Sequence, residues 1–141
     1  MKYPDPWYIV RHFSLEKFIL SMLSFGCPIE TLLVGAFKKE GRGAQRDMEL
    51  DMHQDGIYSS ALEKRQGTTY VENPNVDIVG MYCIRGNSNC STIIEELGSG
   101  EISGVVLNSG EALILNNRRV LHGRKGPVGD RVLFRMWLQN N

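Results

Sequence analysis

From Thr31 to its C-terminus the chain is punctuated at short intervals by glycine and asparagine, and this spacing leaves few folds open to it. Breaks such as Gly86-Asn87, Asn108-Ser109-Gly110 and Asn116-Asn117 leave runs too short for ordinary helices but long enough for strands. Candidate strands are Thr31–Phe37, Met48–His53, Thr69–Glu72, Asp77–Ile84, Thr92–Glu95, Val105–Leu107, Ala112–Leu115, Arg119–Gly123 and Arg131–Leu138. About eight short strands with one helix predict a mainly β fold, a double-stranded β-helix of the jelly-roll, cupin-like kind. The helix is then expected outside one of the sheets.

That helix is legible in detail. Ser14 is placed to cap it, and Leu15, Phe18, Ile19, Met22 and Leu23 recur at i, i+3, i+4, i+7 and i+8. Gly26 is the expected stop. In the last strand, Val132, Phe134, Met136 and Leu138 alternate onto a face able to meet the helix stripe. Arg131, Leu133, Arg135 and Trp137 take the other face.

At 141 residues, without repeats, linkers or low-complexity tracts, residues 1–141 read as a single domain. Sixteen basic residues balance sixteen acidic ones, so charge gives no reason to expect nucleic acid or a membrane surface as partner. No apolar stretch is long enough to span a bilayer, and the N-terminus lacks the apolar run of a signal peptide. Three cysteines without a Cys-x-x-Cys pair read as reduced thiols, and the expected compartment is the cytoplasm. The oligomeric state is not written in the sequence. The polar segment from Lys38 to Arg46 reads as a solvated loop.

The chemistry gathers around two of the three histidines, since His12 stands alone before the helix. In His53-Gln54-Asp55 an extended backbone turns residues i and i+2 to the same side, so an imidazole and a carboxylate project together. A surface histidine beside an aspartate gives the same tripeptide, so these residues alone carry little. Two histidines and one carboxylate on one octahedral face form the ligand set of non-haem iron(II) oxygenases, with positions left open for further ligands. His122 is the remaining histidine suited to complete the set. After it, a turn at Gly126-Pro127-Val128-Gly129 leads to Asp130-Arg131, so the next strand is expected to return antiparallel beside His122. A buried arginine there can hold a carboxylate by two parallel hydrogen bonds.

Three blocks carry a resemblance. They are His53-Gln54-Asp55; the segment from Val79 to Asn87 with Ser91-Thr92; and the segment from Asn117 to Arg124 with Asp130-Arg131 through Arg135. In order and residue type they resemble the iron(II)/2-oxoglutarate-dependent oxygenases, from about Met52 to Leu138, and most of all the clavaminate synthase-like branch with its amino-acid hydroxylases. The compact layout is also similar to that of the bacterial isoleucine hydroxylases. The resemblance implies Fe(II), 2-oxoglutarate and O2 as cofactor and co-substrates, with His53, Asp55 and His122 on the metal. It implies Arg131 and Thr92 on 2-oxoglutarate and Arg135 on the carboxylate of a small substrate such as a free amino acid. The short turn before Arg131 leaves Arg124 and Arg135 as alternative holders of 2-oxoglutarate. Tyr58, Tyr70, Tyr82 and Trp137 read as core residues. Two other readings remain: a cupin-like metalloenzyme that uses no 2-oxoglutarate, and a non-catalytic jelly-roll binding module.

Overall fold

The computed structural model describes residues 2–11, 14–35, 49–56 and 75–140. The expected strand at Thr69–Glu72, the loop from Lys38 to Arg46, His12, Tyr58 and Tyr70 lie outside the described residues. Within them the chain forms β1 (Trp7–Val10), α1 (Leu15–Leu23), β2 (Gly26–Val34), β3 (Leu50–His53) and β4 (Ile78–Arg85). It continues as β5 (Ser91–Glu96), β6 (Ile102–Val105), β7 (Ala112–Asn116), β8 (Val120–Lys125) and β9 (Val132–Asn140). The strands form two antiparallel sheets, one of order β1-β7-β4-β9-β2 and one of order β3-β8-β5-β6. This is a double-stranded β-helix, as the strand spacing predicts. No described helix is long and apolar enough to cross a membrane.

Helix α1 begins where expected. The Ser14 side chain accepts from the Lys17 amide at 3.2 Å, the arrangement that satisfies an otherwise orphaned first-turn donor. The helix lies on the outer face of the five-stranded sheet, where Phe18 and Met22 are fully buried against Ile78, Ala112, Ile114, Met136 and Leu138. Phe134 meets the Phe18 ring edge-on at 6.3 Å. Gly80 makes the close seating feasible, because a Cβ there would stand 2.9 Å from Phe18 Cζ and closer still to the end of Met22. Leu23 falls off the buried stripe and is 43% exposed.

The opposite faces of the two sheets enclose a second core of Val79, Met81, Cys83, Ile94, Leu107, Leu113, Leu115, Leu133 and Trp137. Three elements differ from expectation. Strand β2 begins at Gly26 rather than Thr31, because it pairs with β9 as far as Asn140. Residues Trp7–Val10 pair with β7 as an edge strand, although nearby Pro4 and Pro6 interrupt the N-terminal pattern. The β6 strand runs Ile102–Val105 rather than Val105–Leu107, because its pairing partner β5 lines Thr92 up with Val105 and Glu95 with Ile102.

A larger correction concerns the last turn. The final strand does not lie beside His122: β8 pairs with β3 and β5, whereas β9 pairs with β4 and β2 in the other sheet. The turn at 126–130 carries the chain across the barrel. Gly126 adopts φ +89°, and a Cβ there would stand 2.1 Å from the Asn89 carbonyl oxygen, so the crossing requires glycine. The Asn87 side-chain amide donates to the carbonyls of Pro127 and Val128 and fixes the far side of the turn.

Phe18→Ala should therefore cost about 3–5 kcal/mol of unfolding free energy, the usual range for emptying a buried aromatic site. Urea unfolding followed by circular dichroism measures this. A loss below about 1 kcal/mol would mean that the helix is not seated as described.

Candidate metal centre

His53 ends β3, Asp55 follows in the next turn, and His122 lies in the middle of β8. The β3–β8 register sets His53 directly opposite His122, and their rings lie 4.6 Å apart at centroids. Gly123 permits the approach of the two strands, since a Cβ there would lie 2.6 Å from the Leu50 carbonyl oxygen. One potential ligand atom from each of His53, Asp55 and His122 falls within 4.8 Å of the others. His122 follows His53 by 69 positions in the chain (122 − 53 = 69), and strand pairing closes that gap.

Both imidazoles turn Nε2 toward the Asp55 carboxylate. His53 Nδ1 sits 2.6 Å from the Asp51 carbonyl oxygen, which holds the proton on Nδ1 and leaves Nε2 to face the site. That Nε2 is 3.1 Å from Asp55 Oδ1, and His122 Nε2 is 3.5 Å from Oδ2. Burial alone would raise the Asp55 carboxyl, but the imidazoles of His122 and His53, with Arg135 beyond them, hold it well below the usual carboxylate range. For His53, burial works downward. The hydrogen bond and charge of Asp55 and the Asp51 carbonyl outweigh both burial and Arg135, so the value is raised above that of an ordinary histidine. A negatively charged carboxylate between two imidazoles is a donor set for a divalent transition metal.

Asp55 is held from behind by residues that sequence reasoning assigned elsewhere. Asn117, read as half of a turn, is fully buried. Its Oδ1 accepts from the Asp55 amide at 3.1 Å, while its Nδ2 donates to the carbonyls of Asp55 at 3.1 Å and Val76 at 2.9 Å. The Gln54 side chain donates to the Asn117 carbonyl at 2.7 Å. Trp137, read as core, is core and more: its indole Nε1 donates to Asp55 Oδ2 at 2.8 Å. No local pattern marks Asn117 out from the Asn116-Asn117 break. No local pattern distinguishes Trp137.

The remaining expected site residues fall into two groups. Arg131, just ahead of β9, is 4% exposed and donates from Nη1 to Thr92 Oγ1 at 3.2 Å, with Thr92 itself buried on β5. The Arg131 Nε finds no acceptor, and no carboxylate among the described residues pairs with this guanidinium. Burial pushes its pKa down, and the neighbouring Cys90 and Cys83 only partly oppose that. Cys83 supplies no counter-charge near neutral pH, since burial lifts its thiol to about 11 despite Arg131. Arg124 is buried too, directly opposite Thr92 in the β5–β8 register. Arg135 faces the barrel beside Trp137, its guanidinium 4.4 Å over that ring, and it already has an anion: Glu30 Oε1 lies 2.6 Å from Nη2. The guanidinium expected to meet a substrate carboxylate is thus paired within the chain.

No protein-family model matches the chain, and no curated protein matches it in sequence. Among solved structures it is similar to a prolyl-4-hydroxylase of Pseudomonas putida, with a TM-score of 0.54 over 98% of this chain and 94% of that one. Identity is 9%, so the likeness is one of fold.

The raised pKa of His53 predicts how metal binding depends on pH. In the metal-free fold the protonated ring is the stabilising form. Its contribution is complete below the unfolded value of about 6.5 and is lost as pH rises through the higher folded value. A metal takes only the neutral ring and so competes with that proton. The increase in melting temperature caused by Zn(II) should therefore grow from about pH 6 to about pH 8. A shift independent of pH over that range would remove His53 from the ligand set.

Proposed function

We propose that the chain is a non-haem iron(II)- and 2-oxoglutarate-dependent oxygenase that hydroxylates a small carboxylate-bearing substrate, a free amino acid or a derivative. The reading takes residues 1–141 as one oxygenase domain of the cytoplasm. The observation that carries it is a pairing inside one barrel: a His-Asp-His donor set, and a buried guanidinium with no anion among the described residues. A cation left so is costly unless something arrives to neutralise it. Thr92 stands two residues from Ile94, the partner of His122, which places the Arg131–Thr92 pair about 7 Å along the strand from the metal row. That offset suits a dicarboxylate whose keto acid end chelates the metal and whose far carboxylate needs holding.

Bound iron(II) supplies activation of dioxygen, coupling oxidation of 2-oxoglutarate to insertion of oxygen into a C–H bond. The residues of the chain do the rest. His53, Asp55 and His122 would hold the metal through one atom each, leaving positions for 2-oxoglutarate and dioxygen. Arg131 and Thr92 fix the far end of 2-oxoglutarate, and the apolar residues around them keep bulk water out. Arg135, beside Trp137, holds an anion already and can exchange Glu30 for the carboxylate of a substrate. The similarity in fold to a hydroxylase supports this reading, and Asp55 would fill the position that a halide would otherwise need, which favours hydroxylation.

His53→Ala, Asp55→Ala and His122→Ala should each abolish stoichiometric iron binding while circular dichroism stays unchanged. Arg131→Ala should keep iron but raise the 2-oxoglutarate requirement, at a cost of about 2–5 kcal/mol for losing one side of a buried charge pair. Succinate release measures it. An unchanged half-saturation concentration would transfer the role to Arg124 or Arg135. For the substrate, a panel of amino acids should stimulate succinate release in wild type and less so in Arg135→Ala. If no carboxylate compound stimulates turnover, the small-acid reading fails.

A further inference from the structure

We infer that Trp137 is a positioning residue that dictates how Asp55 meets the metal, an inference that rests on the metal-binding reading of the triad. A carboxylate can bind a metal through one oxygen or both. At Asp55 the two oxygens are already distinguished. Oδ2 accepts the Trp137 indole N–H at 2.8 Å, while Oδ1 lies 3.1 Å from His53 Nε2. Indole is a donor only, so Trp137 cannot compete as a ligand. It takes one lone pair of Oδ2, which His122 Nε2 faces at 3.5 Å, and leaves Oδ1 unengaged by the indole beside His53.

The consequence is geometric. With one lone pair of Oδ2 taken up by the indole, Oδ1 is the better donor, so Asp55 would fill one coordination position of a bound metal and leave three open in an octahedral site. Were both oxygens on the metal, one of those positions would be lost.

The surroundings hold the ring to this task. Trp137 is 7% exposed, and strand pairing sets it between Val79 of β4 and Glu30 of β2. The Arg135 guanidinium covers its ring face, tied in turn to Glu30. The Asn117 clamp immobilises the Asp55 main chain on the other side. Both partners of the 2.8 Å bond are thus fixed independently of it. A bond between two separately fixed groups specifies direction, which a bond formed by a floppy side chain does not.

The test separates the N–H group from the bulk of the ring. The chain has two tryptophans, so Trp7→Phe leaves Trp137 alone for replacement by benzothienylalanine, in which sulfur stands where the N–H was. Affinity for Co(II) should fall about 10–100-fold in that protein, the usual effect of losing a partner behind a metal ligand. Its circular dichroism should match that of Trp7→Phe, and the cobalt visible spectrum should change as the carboxylate alters its mode of binding. Trp137→Phe should weaken cobalt in the same way. A purely structural role predicts a lower melting temperature with unchanged affinity and spectrum, and that result overturns the inference.

A measurement on the wild type needs no variant to fold. The Trp137 indole proton should stay protected from exchange when Zn(II) is bound, and its loss of protection on metal loading would overturn the inference. A wild type that binds no divalent metal in one-to-one ratio would instead overturn the triad reading itself. The two failures are therefore distinguishable.

Discussion

Asp55 is 5% exposed and ionised, and a carboxylate withdrawn from water to that extent must find its partners inside the protein. Much of the described barrel is organised around that need. Two imidazoles face its oxygens, an indole donates to one of them, and a buried asparagine takes up both its main-chain groups. The contributors come from four places in the chain: the end of β3, the β7–β8 turn, the middle of β8 and the middle of β9. They converge only if both sheets are formed and in register. Site and fold are thus one object, and the donor set is assembled before a metal arrives.

A second charge deep in the barrel is treated in the opposite way. Arg131 is buried to a similar degree but receives one hydroxyl and no anion among the described residues. Evolved interiors rarely leave a guanidinium so poorly matched unless a ligand completes it. A satisfied carboxylate cluster beside an unsatisfied cation is the asymmetry from which the functional reading grows. In the proposed function the first would hold a metal cation and the second an acid.

The elements most legible in the sequence were those set by local chemistry. The capping serine and the apolar stripe placed α1 almost to the residue, and alternation in β9 separated the helix-facing residues from those facing the barrel. The His-x-Asp pair was visible because extended backbone fixes which side chains point together. What local pattern could not convey was sheet membership. A turn after β8 reads the same whether the next strand returns alongside or crosses to the opposite sheet, and here it crosses. The roles of Asn117 and Trp137 were hidden for the same reason, since each acts on a residue more than sixty positions away. The salt bridge from Arg135 to Glu30 likewise depends on β2 lying beside β9.

The central claim is that one barrel holds a metal at His53, Asp55 and His122 and a keto diacid reaching from that metal to Arg131. Anaerobic addition of Fe(II) and 2-oxoglutarate to the purified protein tests it most directly. A broad visible charge-transfer band should appear only when both are present, because it requires the keto acid to chelate protein-bound iron. Arg131→Ala should need more 2-oxoglutarate to reach the same band. Tight one-to-one iron binding with no band at saturating 2-oxoglutarate would contradict the account.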